Sequence, residues 1–205
     1  RVPDARLDRL TDLFQPKSRV PATVEFADMA AGRSDAAALL DVAAYRQADA
    51  LLHVVRAFRD ESVPHPKSSV DPARDARLIE EEMILADLGV AERRLERLAK
   101  DLKKTPTPDL KKEEELLVQC RASLENGRAL RTLGLSKDDA RRLRGFQLLS
   151  GKPLLLVVNL DEADLQAGAA RPDLDAFLKE TGGMAVGVCA KIELEIAQLD
   201  AADAK

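Results

Sequence analysis

Apolar residues along this chain keep two rhythms, one short and strand-like, one spaced three and four apart, and the change between them marks out its segments. Near the start, Leu7, Leu10 and Leu13 recur three apart behind Pro3 and Asp4, which predicts a short helix ended by Pro16. Val20 to Phe26 is β-branched and partly alternating, the pattern of a half-buried strand. An Ala/Leu-rich helix is expected around Ala36 to Gln47. The short apolar run Ala50 to Val55, flanked by polar residues, then reads as a buried strand. The order is strand, helix, strand.

From Asp75 to about Lys104 the period becomes helical, with Leu78, Ile79, Met83, Leu85, Leu88, Leu95 and Leu98 forming a stripe between dense charges. Pro106 and Pro108 break the stripe. It resumes from Asp109 to about Asn126 through Leu110, Leu116, Leu117 and Leu124, and Gly127 suits a C-terminal cap. Two such helices predict an antiparallel hairpin. Ser136, followed by Asp138 and Asp139, is placed to cap a further helix through Leu143. The α/β rhythm returns with a strand at Pro153 to Asn159, a helix at about Leu174 to Thr181, a strand at Met184 to Ala190 and a terminal helix from about Ile192. Helical crossovers between apolar strands imply a mainly parallel sheet. The expected fold is therefore α/β, with residues 1–74 and 148–205 forming one sheet domain and residues 75–147 an inserted antiparallel α-helical hairpin.

Composition narrows the classes. In 205 residues, 45% hydrophobic is ample for a core, and with 3% aromatics and no Trp that core must come from Leu, Val, Ile and Ala. Thirty-two Lys and Arg against 36 Asp and Glu leave a formal charge of -4, so no global basic field attracts nucleic acid, and DNA is not an expected partner. The longest strongly apolar run, Leu154 to Val158, is far short of the ~20 residues a membrane helix needs. No charged-then-apolar leader opens the chain, so a cytoplasmic protein without a membrane partner is expected. Cys120 and Cys189, with His53 and His65, form neither a disulfide framework nor metal-ligand spacing. The first residue is Arg1 rather than Met, and the chain is expected to be a piece of a longer protein.

In open α/β sheets ligands gather at the carboxyl ends of strands. Val20 to Phe26 leads to Asp28. Leu154 to Val158 leads to Asn159, Leu160, Asp161 and Glu162, and Val186 to Val188 leads to Cys189, Ala190 and Lys191. A carboxylate can hold the water shell of Mg²⁺, an Asn side chain can satisfy a purine edge, and a small-residue turn can approach a base. Each of these residues is also an ordinary turn or cap residue. Their order, with Asn159 and Cys189 each closing a strand 30 positions apart, is more specific.

At these residues the chain resembles the YchF, or Obg-like ATPase, family within the P-loop GTPase-like proteins. The resemblance runs through RVPDARLDRL, PATVEFADMA, ADALLHVVRAF, VDPARD, ILADL with ERRLERL, GKPLLLVVNLDE and CAKIELE. It implies a P-loop-NTPase-like domain, a coiled-coil insertion at the helical segment, and Asn159 to Glu162 in place of the guanine-reading Asn-Lys-x-Asp. ATP is then expected in preference to GTP, with Mg²⁺ near Asp28. Asn159 would face the purine N7, Leu160 would supply main-chain recognition near the adenine amine, and Cys189, Ala190 and Lys191 would form the second wall. Ribosome association is implied by the same analogy.

The departures are specific. The phosphate-binding Gly-x-x-x-x-Gly-Lys-Ser/Thr loop, which the family carries upstream of RVPD, is absent from these 205 residues, and so is the C-terminal TGS domain. Ala31 stands where the family's Asp-x-Ala-Gly places its Gly, and the glycine-rich switch that follows is shortened to GRSDAAALL. No residue here is assigned a catalytic role, and this segment is expected to be inactive in hydrolysis. His53 reads as a core histidine, His65 as an exposed loop residue and Cys189 as an inert thiol.

Arg93, Arg94, Arg97, Lys100, Lys103 and Lys104 make a basic patch on the first hairpin helix, interleaved by Glu92 and Glu96. It reads either as solvated surface or, through Arg93, Arg94, Arg97, Lys100 and Lys104, as a surface for ribosomal RNA backbone. Two functional readings follow: an ATP-binding protein acting around the ribosome, or a non-enzymatic module presenting the hairpin to a protein or RNA partner.

Overall fold

A computed structural model of the protein describes residues 1–28, 45–168 and 171–199. The chain divides into two compact units, one within residues 1–31 and the other within residues 32–205. The first carries helix α1 (Ala5–Phe14), whose N-cap Asp4 accepts the Arg6 amide and whose C-cap Gln15 is left-handed at φ 42° ahead of Pro16. Arg19 pairs with Asp8. Residues 20–28 form no regular element, so the strand expected at Val20 to Phe26 is not there. A strand needs a ladder, and the backbone link of this stretch among the described residues is a single one, Val2 N–H to Ala22 C=O at 2.8 Å. Val20 and Phe26 stand 82% and 77% exposed rather than half-buried. Most of the helix expected around Ala36 to Gln47 lies outside the described residues.

The second unit is built on three parallel strands in the order β1 (Leu51–Arg56), β2 (Leu154–Asn159), β3 (Met184–Val188). Between β1 and β2 run α2 (Pro72–Lys104), α3 (Pro108–Glu125) and α4 (Lys137–Leu143); α5 (Glu162–Ala167) and α6 (Pro172–Thr181) precede β3, and α7 (Ala190–Ala197) follows it. The caps are those the sequence supplies. Asp71, Thr107, Ser136 and Asp161 each accept a first-turn amide, and Gly127 is left-handed beyond α3. α5 was not anticipated; its signals are the Asp161 cap and a left-handed Gly168. The expected strand to Ala190 stops at Val188, because Cys189 takes the N-cap position of α7.

One sheet face is covered. Val55, Leu156 and Val158 pack with Ala76, Leu174 and Phe177, while Leu51 and Leu154 pack with Met83 and Leu149. On the other face Leu52, Val54, Met184 and Val186 are exposed. α2 and α3, joined by residues 105–107, enclose a core of their own from Ile84, Ala91, Leu98, Leu116, Leu117, Cys120 and Leu124. Burial pushes the Cys120 thiol up to about 11, and Arg94 braces the pair by a two-armed ion pair to Glu113 at 2.7 and 3.0 Å.

The two cores are tied at Asp87, in the middle of α2. Its carboxylate is fully buried and accepts Leu149 N–H at 2.9 Å, Ser150 N–H at 2.7 Å and the Ser150 hydroxyl at 2.8 Å. A second buried pair, Arg131 to Glu80, lies one side of it. Burial raises both carboxyls above their ordinary range, opposed by these donors and by Arg131.

Replacing Asp87 by Asn turns an acceptor toward backbone donors into a competing donor. Asp87→Asn is expected to lower stability by about 3 kcal/mol, read by urea denaturation. Asp101→Asn on the exposed end of α2 should stay within about 0.5 kcal/mol.

Candidate functional site at the strand ends

Because all three strands run the same way, their carboxyl ends meet at one edge, where Arg56, Asn159 and Val188 fall in register. Asn159 organises that edge. Its carbonyl accepts the Ala57 and Phe58 amides at 2.8 and 3.0 Å, and its side-chain Oδ1 accepts the Ala190 amide at 3.0 Å. The amide nitrogen of the same side chain keeps two donors with no partner among the described residues. Leu160 donates its N–H to the Val188 carbonyl at 2.7 Å, which stitches the turn after β2 to the end of β3. Its own carbonyl accepts no hydrogen bond among the described residues.

The side chain of Leu160 lies across β3 at Gly187, where a Cβ would come within 2.9 Å of Leu160 Cδ1. Asp161 turns back to cap α5 through Asp164 N–H at 2.9 Å, while Glu162 is exposed in the first turn and accepts Gln166 Nε2 at 3.0 Å. Cys189 is buried between β3 and α7; Ala190 and Lys191 open the first turn of α7 and are exposed.

The loop after β1 forms the third side. Arg56 reaches the carbonyls of Phe58, Asp60 and Val63 at 3.2, 3.0 and 2.7 Å and lies 4.5 Å over the Phe58 ring. The Ser62 hydroxyl and amide, with Arg56 and Lys191 further off, hold the Asp60 carboxyl below its ordinary range. Arg56 had no motif to announce it, since its three partners are carbonyls that exist only in the folded loop. Nearby, His65 departs from its reading as an exposed loop residue. Its side chain is 12% exposed, Nε2 meets Asp75 at 3.0 Å and Nδ1 accepts the Lys67 amide at 3.1 Å. His53 is half-buried in β1, and the burial it has lowers its pKa.

The edge thus gathers Asn159, Leu160, Cys189, Ala190 and Lys191, with Glu162 at the start of the adjoining helix. Asp28 is exposed in the irregular end of the first unit. Among the described residues no three metal-ligating side chains cluster. On α2, Arg93, Arg97, Lys100 and Lys104 are exposed, whereas Arg94 is half-buried against Glu113.

No family model matches the chain. It is 35% identical over 204 residues to the Haemophilus ducreyi protein named ribosome-binding ATPase YchF, covering 97% of this chain and 56% of that protein. It is 37% identical over 191 residues to Obg-like ATPase 1 of Oryza sativa subsp. indica, covering 89% of this chain and 48% of that protein. The solved structure of the Schizosaccharomyces pombe YchF GTPase aligns with a TM-score of 0.83 at 28% identity, over 99% of this chain and 57% of that one. The small parallel sheet with its many helices is accordingly a YchF GTPase fold. The chain belongs to the YchF and Obg-like ATPase family, and it spans about half the length of the curated relatives it matches. No helix among the described residues is long and apolar enough to cross a membrane.

If Asn159 fastens the edge as its bonds indicate, Asn159→Ala should speed hydrogen exchange of the Ala190 amide and lower stability by about 1 kcal/mol. Asn159→Asp, which keeps the acceptor, should leave that amide protected.

Proposed function

We propose that this chain carries the base-reading part of an ATP-binding protein that associates with the ribosome. In this reading residues 1–74 and 148–205 belong to the nucleotide-binding domain and 75–147 form an inserted antiparallel hairpin. The observation that carries the choice of base is the pattern of engaged and unengaged groups on Asn159 and Leu160. Asn159 has its oxygen fastened to Ala190, so what it offers a ligand is N–H, the right partner for a purine N7. Leu160 has its N–H fastened to Val188, so what its main chain offers is a carbonyl.

A carbonyl accepts from the exocyclic amine of adenine and opposes the O6 of guanine. Guanine selection would call for a carboxylate held toward the ring N1 and N2 donors. Glu162 is instead exposed in the first turn of α5 and shared with Gln166. Cys189, Ala190 and Lys191 supply the second wall. Asp28 would hold hydrated Mg²⁺, which neutralises phosphate charge when bound. The Lys and backbone N–H groups of a phosphate loop are not among the 205 residues, so by themselves these should bind ATP weakly and not hydrolyse it. Micromolar or tighter ATP binding in a calorimetric titration of this segment would overturn that expectation.

In the full-length protein, Leu160→Lys with Glu162→Asp recreates the guanine-reading pattern. Preference measured by ATP/GTP competition should move toward GTP by about tenfold or more, equivalent to at least ~1.4 kcal/mol. An unchanged ratio would remove Asn159–Glu162 as the base-reading loop.

A second reading rests on the helix rather than the sheet. Arg93, Arg97, Lys100 and Lys104 are spaced four, three and four apart, which puts four exposed cations on one line of α2, a form suited to a phosphate backbone. Arg94 belongs to the brace between α2 and α3 and is outside this line. Reversing Arg93, Arg97 and Lys104 to Glu should change stability by no more than about 0.5 kcal/mol per site. The same variant should lose ribosome or RNA association, which in the unmodified protein should fall steeply with salt.

A further inference from the structure

The segment entering β1 is tied to the helices by a contact of unusual construction. Arg46 lies five residues before the strand, and its side chain is 18% exposed. The guanidinium donates to the Gln147 carbonyl at 3.0 Å and reaches Asp87 Oδ1 at 3.4 Å and the Ala86 carbonyl at 3.5 Å. Gln47 meets Gln147 at 3.4 Å. From the other side Lys152 donates its ammonium to the Arg46 and Ala48 carbonyls, the first at 3.0 Å. The segment is therefore held between Gln147 and Lys152, the two ends of the stretch whose Leu149 and Ser150 are fastened to Asp87.

The bonds on Asp87 are of two kinds. Three are short and come from Leu149 and Ser150, neutral donors that belong to the returning chain. The fourth, from Arg46, is long. Withdrawing Arg46 leaves the buried carboxylate with three partners, and the guanidinium already has access to water. Glu80 and Arg131 show the contrasting case: both are buried, and separating them would strand two charges without solvent. Of these two ion pairs, Arg46 to Asp87 can open at small cost and Arg131 to Glu80 cannot.

We propose that Arg46 is a releasable latch that couples the segment leading into β1 to the paired helices α2 and α3, with Asp87, Leu149 and Ser150 as its fixed seat. Resting on the nucleotide-binding reading above, the latch would relay occupancy at the strand ends to the helices. The lever is already present, since α2 is a single helix of 33 residues, about 50 Å long, gripped at Asp87. A contact made or broken at the grip biases the whole arm.

Hydrogen exchange on the full-length protein, with and without MgATP, tests this. Without nucleotide, Arg46→Gln should speed exchange of the Ala48 amide by about tenfold while leaving Leu149 and Ser150 amides within about twofold of the unmodified protein. Asp87→Asn should release both sets. With MgATP, the unmodified protein should change exchange within α2 and α3, and Arg46→Gln should lose that change while its ATP affinity stays within about threefold. Arg46→Lys, which can still reach the Gln147 carbonyl, should restore part of it. Loss of protection at Leu149 and Ser150 in Arg46→Gln would make Arg46 part of the fixed seat and overturn the latch. An equal MgATP response in both proteins, or none in an unmodified protein that binds ATP, would also overturn it. Failure of the unmodified protein to bind MgATP would count against the nucleotide reading, and the nucleotide-free comparison would then decide the latch by itself.

Discussion

A carboxylate removed from water must be answered by donors, and at Asp87 the donors come from 62 and 63 residues further along the chain. That requirement ties the helical part to the sheet. Leu149 and Ser150 are the residues at which the chain leaves the helices, and β2 begins four positions later at Leu154. Fixing them against the middle of α2 sets where β2 starts. The pairing of β1 with β2 follows, and with it the positions of Asn159 and Leu160. Apolar packing alone would leave the sheet free to slide under α2, because burial of Leu, Val and Ile is not directional. A buried carboxylate with three short bonds has one acceptable arrangement.

From there the strand-end site is built almost wholly from main chain. The Asn159 carbonyl collects two amides from the loop after β1, the Leu160 amide closes onto Val188, and Ala190 closes onto the Asn159 side chain. A site of this kind tolerates changes in side-chain identity but depends on register. What it offers a ligand is decided by which half of each peptide or amide group is already engaged. In the proposed reading, a preference for adenine would rest on the free hydrogen-bonding groups of two residues, Asn159 and Leu160, rather than on a charged recognition group.

Much of this was legible in the sequence, for physical reasons that differ by element. β2 could be read because a short run of Leu and Val bounded by Lys152-Pro153 and Asn159-Leu160-Asp161 suits a central strand. α2 and α3 could be read because their apolar stripes are long and Pro106 and Pro108 separate them. Val20 to Phe26 misled because alternation describes a side-chain pattern, whereas a strand also needs a partner, and a partner cannot be seen locally. α5 was overlooked because six residues carry too little periodicity, although Asp161 and Gly168 bracket it. Asp87 and Arg46 were silent: each looked like one more charge in a charged helix or loop, and their roles arise only from residues far away in sequence. The same holds for His65, whose partner Asp75 sits on α2.

The charges of α2 show why a run of basic residues cannot be assigned a role from composition. Consecutive helical positions differ by about 100° in direction. Arg93 and Arg94 therefore meet different surroundings: one lies in solvent and the other across from Glu113. Arg97, Lys100 and Lys104 return to the line of Arg93, whereas Asp101 turns toward Arg94 at 4.0 Å. Asp101 thus turns its charge toward Arg94 on its own helix rather than toward the exposed line, and Arg94 in turn holds α2 to α3 through Glu113. A chain of net charge -4 can in this way keep a continuous cationic line on one helix, because pairing is decided by angle around the axis and not by proximity in sequence.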